Sequence, residues 1–225
     1  MKTTKALSAL ACFLLVAALL ATCIDVCAFR KDFYRAEYEK NDTSEVTGMS
    51  NDDVMASTSA LLDYLRDERQ DIVVTAEVNG TEREVFNERE TLHMVDVKAL
   101  YRKAILFRNI CAALGAALIL FLSVWEKKAG KVLRDGFIPG SAALLALISV
   151  IGVWVMLDFN NFWTNFHLFF FDNDLWLLDP RTSIMINLFP ETFFFDMVVQ
   201  IILGFLACMI AASISIYGLK RGSAE

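Results

Sequence analysis

Histidine is almost absent from this chain, and four long stretches carry almost no charge. The 225 residues include only His93 and His167 as histidines. The five cysteines are Cys12, Cys23, Cys27, Cys111 and Cys208. No pair of them has the spacing of a secreted disulfide framework or a zinc site. Four fall inside apolar runs and read as small helix residues; Cys23 and Cys27, one turn apart, are the one pair that helical spacing brings near. There is no Gly-x-Ser-x-Gly elbow, no His-Glu-x-x-His and no phosphate-binding glycine loop. A net charge of −6 with no basic field excludes a nucleic-acid partner. Internal repeats and low-complexity linkers are also missing.

What is present is apolar. Hydrophobic residues make up 56% of the chain and mean hydropathy is +0.46, too high for an ordinary soluble domain. Four runs reach the roughly 20 residues that a helix needs to cross a bilayer: Ala6–Ile24, Ala104–Trp125, Phe137–Leu157 and Phe193–Tyr217. Lys127, Lys128, Lys131 and Arg134 crowd the turn between the second and third runs (residues 126–136). Lys2 and Lys5 precede the first run, and Lys220 and Arg221 follow the last. Loop 158–192 holds only Arg181. Positive charge marks the cytoplasmic side, so both termini are expected inside, with 25–103 and 158–192 outside. The first run also has a signal peptide's basic start. Its length exceeds the ~7–15 residues of a signal core, and it reads as a retained helix. Leu20-Ala21-Thr22-Cys23 fits a lipoprotein box poorly.

Charge concentrates in the first loop, which has 18 acids and 11 bases from Asp25 to Lys103. It reads as a small α+β cap. Ser50-Asn51-Asp52-Asp53 resembles a capping box, opening an amphipathic helix through Val54, Leu61, Leu62 and Leu65 that ends near Arg69. Alternation at Val74, Ala76 and Val78, then Asn79-Gly80, then Thr81 to Phe86, predicts a hairpin. Asn79-Gly80-Thr81 also matches a glycosylation acceptor, but the turn accounts for it. Asn87-Glu88-Arg89-Glu90 reads as a second capping box, whose helix can run unbroken into the second span. His93 then stands about three turns before that span at ~1.5 Å rise per residue. Arg108, just inside the span, is read as snorkelling to the interface, with a polar lipid group as the other partner.

Topology places His93 and His167 on the same side at similar depth. An imidazole, with its ordinary pKa of about 6.5, suits proton transfer near neutrality. Glu90 and Asp96 lie three residues to either side of His93, the spacing of one helix face. Asp158, Asp172, Asp174 and Asp179 surround His167 in sequence. Each is a candidate to orient an imidazole; a solvated acidic rim is the simpler account for most of them. From Phe159 to Phe195 there are 12 aromatics, Trp163, Trp176 and Phe169-Phe170-Phe171 among them. Some belong to an interfacial aromatic belt. The polar Asn173-Asp174, Asp179-Pro180 and Pro190-Glu191 set among them fit a pocket for a lipid-like substrate with one polar reactive centre.

These strings resemble a known family. Val46-Thr47-Gly48-Met49-Ser50, Phe86-Asn87-Glu88-Arg89-Glu90, His93-Met94, Asp96-Val97-Lys98, Asp158-Phe159, Phe166-His167, Asn173-Asp174-Leu175-Trp176-x-x-Asp179-Pro180 and Phe189-Pro190-Glu191 resemble the bacterial lipoprotein intramolecular transacylase (Lit) family, in its order and over nearly the whole chain. One departure is Ser183 after Thr182, where the family pattern has an acidic residue.

The resemblance implies a mainly α membrane protein: four transmembrane helices under a small α+β extracytoplasmic cap, in the bacterial plasma membrane. It implies a diacylglyceryl lipoprotein substrate; no cofactor, no metal and no obligate protein partner are expected, the metal because two histidines and poorly placed cysteines offer few ligands. The sn-2 acyl chain would move to the α-amine of the lipoprotein's own cysteine, giving the lyso-form. The ring so closed runs through amine nitrogen, Cα, Cβ, sulfur, two glyceryl carbons, ester oxygen and acyl carbon. The resemblance carries His93 and His167 over as catalytic; His167 is expected as base, and His93 for the oxyanion or the leaving oxygen. Asn87, Arg89, Glu90, Asp96, Asn173, Asp174, Trp176 and Glu191 are carried over as lining or supporting residues. Asp158, Trp163 and Phe170 join them as lining candidates. Two alternatives stand beside this: a non-enzymatic scaffold with a partner-binding cap, and a zinc-dependent membrane hydrolase using the two histidines and a carboxylate.

Overall fold

The computed structural model describes residues 2–218 of the chain; Lys220 and Arg221 lie outside them. The chain forms two compact units. One gathers the chain up to Val26, Ala104–Leu157 and the part from Val198 on; the other gathers Cys27–Lys103 and Asp158–Met197.

In the first unit the apolar runs are helical. They are α1 (Lys2–Ala28), the part of α5 (Glu88–Trp125) from Ala104 on, α6 (Ala129–Leu157) and the greater part of α9 (Glu191–Gly218). All four are long and apolar enough to cross a membrane. Their shared core holds Val16, Cys111, Phe137, Leu144, Ile148 and Phe205. Leu114, Leu120, Val150, Leu203 and Ile210 face outward, as expected where the solvent is hydrocarbon. Close approach is set by small residues. A Cβ on Gly136 would sit 2.1 Å from Ser8 Oγ, and one on Gly140 would sit 2.3 Å from the Ala9 carbonyl oxygen. This Gly-x-x-x-Gly spacing lets α1 and α6 pack backbone to backbone. The Ser8 hydroxyl, fully buried, donates to the Val132 carbonyl at 2.8 Å.

At one end of this bundle Thr4 donates to Glu126, and the Tyr217 hydroxyl donates to the Arg134 carbonyl. Arg108 also has a partner within the protein. Its Nη1 donates to Asp25 Oδ2 at 2.8 Å, with both side chains mostly shielded. A carboxylate from α1 thus meets the guanidinium.

The second unit is the cap. It contains α2 (Lys31–Lys40), α3 (Thr43–Thr47), α4 (Asn51–Leu65), β1 (Thr75–Val78), β2 (Thr81–Glu84), the first turns of α5 and α9, α7 (Phe159–Phe170) and α8 (Ile184–Leu188). The hairpin pairs Val78 with Thr81 and Thr75 with Glu84. Asn79 and Gly80 both have positive φ, 52° and 77°, the type I′ requirement. Ala76 and Val78 are buried while β2 is exposed throughout.

Ser50 caps α4 as the capping box implies, its Oγ accepting the Asp53 N–H. The helix stops at Leu65 rather than near Arg69. Asp67 enters the left-handed region at φ 62°. Its N–H bonds to the Tyr64 carbonyl, and the Glu68 N–H bonds to Asp63, a Schellman ending. Lys98 holds Asp67 there with an ion pair of 2.8 Å. Helices α2 and α3 were not anticipated. Phe33, Tyr34 and Tyr38 of α2 pack edge-on, tilted and stacked against Phe193, forming an aromatic core within the cap.

Candidate active site

Two capped helices present the histidines. Asn87 Oδ1 accepts the Glu90 N–H at 3.0 Å, and Glu90 Oε2 accepts the Asn87 N–H at 2.6 Å. This reciprocal box starts α5. Asp158 starts α7 by accepting the Asn161 N–H at 3.0 Å. Along α7, Phe159, Trp163, Phe166 and Phe170 follow one another at helical spacing. Their ring centroids are 5.8, 5.1 and 4.8 Å apart. This stripe turns His167 to a buried position on the same helix.

The two imidazoles face each other with centroids 6.1 Å apart, each 8% exposed. Phe171 closes one side, 5.4 Å from His93 and 5.6 Å from His167. Trp176 stacks on His167 at 4.8 Å, and Trp163 meets it edge-on at 4.8 Å. His167 Nδ1 bonds to the Trp163 carbonyl oxygen at 2.8 Å. A carbonyl only accepts, so Nδ1 carries the proton and Nε2 keeps its lone pair. His93 Nδ1 is buried without a partner among the described residues.

Burial pushes the His93 pKa down to about 4. The neighbouring His167 adds to the shift, Asp96 opposes it and Arg89 reinforces it. Burial also lowers His167, partly offset by its bond to the Trp163 carbonyl. Both rings are therefore neutral near pH 7, the form in which an imidazole can accept a proton and still donate an N–H.

Several expected supports converge. Asn173 Nδ2 donates to Asp96 Oδ2 at 2.8 Å. Trp176 Nε1 donates to the Asn173 carbonyl at 2.9 Å. Arg89 reaches both the carbonyl and the carboxylate of Asp174. Others do not reach the pair. Glu90, fully buried, gives its second oxygen to the Ser183 hydroxyl at 2.5 Å and the Met185 N–H at 2.7 Å. It ties the start of α5 to the start of α8 instead of orienting His93. Among the described residues no carboxylate bonds to His167: Asp158 caps α7, Asp174 meets Arg89, and Asp179 pairs with Arg181 at 2.6 Å. The helix supplies the orienting acceptor from its own backbone, four residues back. Phe170 lies at the outer end of the aromatic stripe. Glu191 accepts from Asn160 at 2.9 Å and lines a separate groove of about 360 Å³ with Lys40, Phe159 and Asp196. Among the described residues no three His, Cys, Asp or Glu side chains converge as metal ligands.

A family model described as lipoprotein intramolecular transacylase Lit matches residues 9–194. The chain belongs to the Lit family. No curated protein sequence matches it. Solved structures do. The membrane integral lipoprotein intramolecular transacylase Lit from Bacillus cereus superposes with a TM-score of 0.76 at 18% identity, over 98% of this chain and 95% of that one. A histidine-to-alanine variant of the same enzyme gives 0.75 at 21% identity, covering 98% and 93%. These likenesses bear on the fold: a multi-pass membrane protein with a small, mainly helical cap. The family supplies the activity, intramolecular acyl transfer within a lipoprotein, and the scaffold reading falls with it.

For a Lit transacylase, three site features escaped the sequence reading. Phe171 walls both histidines but hides in a run of three phenylalanines. The Trp163 carbonyl becomes visible only when α7 is read as a helix. Ser183, noted only as a departure from the family pattern, donates to Glu90.

Proposed function

We propose that His167 is the acid–base group of the transfer and that His93 donates a hydrogen bond to the oxyanion. The observation that carries this reading is a pair of buried, neutral imidazoles 6.1 Å apart in an aromatic enclosure. The substrate is a lipoprotein whose N-terminal cysteine bears a diacylglyceryl group on sulfur. Its α-amine, titrating near pH 8, is the nucleophile, so the enzyme needs none.

The aromatic walls hold the sn-2 ester folded back on the amine, where orientation lowers the barrier of an unfavourable medium ring. His167 Nε2 takes the amine proton as the N–C(acyl) bond forms. The same proton then passes to the glyceryl oxygen as the C–O bond breaks. Held neutral by burial, His93 offers an N–H rather than an imidazolium, which suits charge stabilisation in a dry site. Asn87, Arg89, Glu90, Asp96, Asn173 and Asp174 hold the elements that present the two rings.

The termini are cytoplasmic in this reading, and the histidines act on the outer side. The exposed Lys127, Lys128 and Lys131 support it, as do the bonds that bring the start of α1 and the end of α9 to the turn carrying them. His93 precedes Ala104 on one unbroken helix by about 16 Å at helical rise. The test is mass spectrometry of a lipoprotein N-terminus after incubation with wild type, His93→Ala or His167→Ala. Each variant is expected to lose roughly 10²-fold or more in conversion to the N-acyl lyso-form. Near-wild-type conversion by either, at equal folded protein, would remove that histidine from the mechanism.

A further inference from the structure

The site has a covering that acid–base chemistry alone does not require. Arg89, His93 and Asp96 stand at i, i+4 and i+7 on α5, one face of the helix. The two flanking residues both hold the turn 173–176: Asp96 through Asn173 Nδ2, Arg89 through Asp174. Asn173 holds this turn with both ends of its side-chain amide and with its carbonyl. Its Nδ2 donates to Asp96, its Oδ1 accepts the Leu175 N–H at 3.0 Å, and its carbonyl accepts the Trp176 indole. The half-buried indole that results lies flat on the buried His167 ring. The helix carrying one histidine thus latches the cover laid over the other.

We propose that the Asp96–Asn173–Trp176 latch excludes water from His167 and so decides acyl transfer over hydrolysis; this rests on His167 being the acid–base group. The base that takes a proton from the amine is equally able to take one from water. With the cover closed, the amine nitrogen bonds to the acyl carbon, the glyceryl C–O bond breaks, and the amine proton ends on the glyceryl oxygen. With the cover open, water oxygen bonds to the acyl carbon and the same C–O bond breaks. One water proton then goes to the glyceryl oxygen, leaving free fatty acid and a lyso-lipoprotein with an unacylated amine. Excluding water from a closed site is a recognised means of suppressing this side reaction.

The experiment measures both products, fatty acid and N-acyl lyso-form, from one diacylglyceryl lipoprotein with the full-length enzyme. Trp176→Ala is expected to lower the ratio of transfer to hydrolysis about tenfold or more, and Trp176→Phe by less. Asn173→Asp, which sets like charges against each other at Asp96, should act as Trp176→Ala does. The double variant Asp96→Asn with Asn173→Asp exchanges donor and acceptor and should recover the ratio. A parallel fall of both products in Trp176→Ala and Asn173→Asp, with the ratio unchanged, overturns the inference, as does no change in either. His167→Ala, run alongside, separates the two readings. If it still converts substrate, the acid–base assignment fails; if it is inactive while the ratio in Trp176→Ala is unmoved, only water exclusion fails.

Discussion

Replacing Glu90 with alanine takes the acceptor away from three donors at once. The Asn87 N–H lies at an exposed residue and can turn to water. The Ser183 hydroxyl and Met185 N–H cannot, because their residues are only 3% and 5% exposed. A buried donor left unpaired costs about 1–3 kcal/mol, so two cost about 4 kcal/mol taken centrally. For a chain of this length each kcal/mol moves the melting midpoint by about 2–4 °C, so Glu90→Ala should melt about 8–16 °C lower. Glu90→Gln keeps one acceptor oxygen for the two buried donors and sets its amide only against the Asn87 N–H. Its expected cost is about 1 kcal/mol, or about 2–4 °C. Tryptophan fluorescence on detergent-solubilised protein, at one fixed scan rate, reads both midpoints. Equal drops in the two variants, or a drop under about 2 °C in Glu90→Ala, would refute the claim that this carboxylate ties α5 to α8.

Two further outcomes follow from charge. His93 titrates near 4 when folded against 6.5 when free, so the unfolded chain binds its proton first as pH falls. Its contribution to stability is complete above pH 6.5 and is lost between 6.5 and about 4, about 3 kcal/mol in all. His93→Gln should flatten that part of the stability–pH curve, and an unchanged slope between pH 7 and 4.5 would refute the assignment. For topology, a cysteine introduced by Thr81→Cys in the exposed hairpin should react with an impermeant thiol reagent on whole cells, and labelling only after lysis would reverse the orientation.

The sequence reveals most where local chemistry acts alone. Long apolar runs announce the spans, Asn79-Gly80 announces the hairpin, and Asn87 to Glu90 announces the start of α5. Legibility fails where the partner is distant. Glu90 sits one turn from His93, yet its donors come from 93 and 95 residues away. Arg108 finds Asp25 across 83 residues, which no span-by-span reading can foresee. Helix α2 went unread because its aromatic face is carried on a short, polar segment. At α4, a non-glycine residue made the left-handed ending. The two histidines were legible by scarcity and topology, but what orients His167 was not, because the orienting group is a backbone carbonyl present in every residue.

The glycine contact between α1 and α6 bears on how the chain is made. Ser8 and the Val132 carbonyl that receives its hydroxyl are 124 residues apart. At a synthesis rate of 5–20 residues per second, α1 enters the bilayer about 6–25 s before its partner exists. Through that interval its small-residue face lacks the two glycines, Gly136 and Gly140, that it will lie against. A serine hydroxyl in hydrocarbon can turn back to a carbonyl of its own helix while it waits. Association then needs only the late arrival of a groove without side chains, so α6, rather than the helix synthesised first, sets the moment at which this contact closes, and Phe205 of α9 joins the core later still.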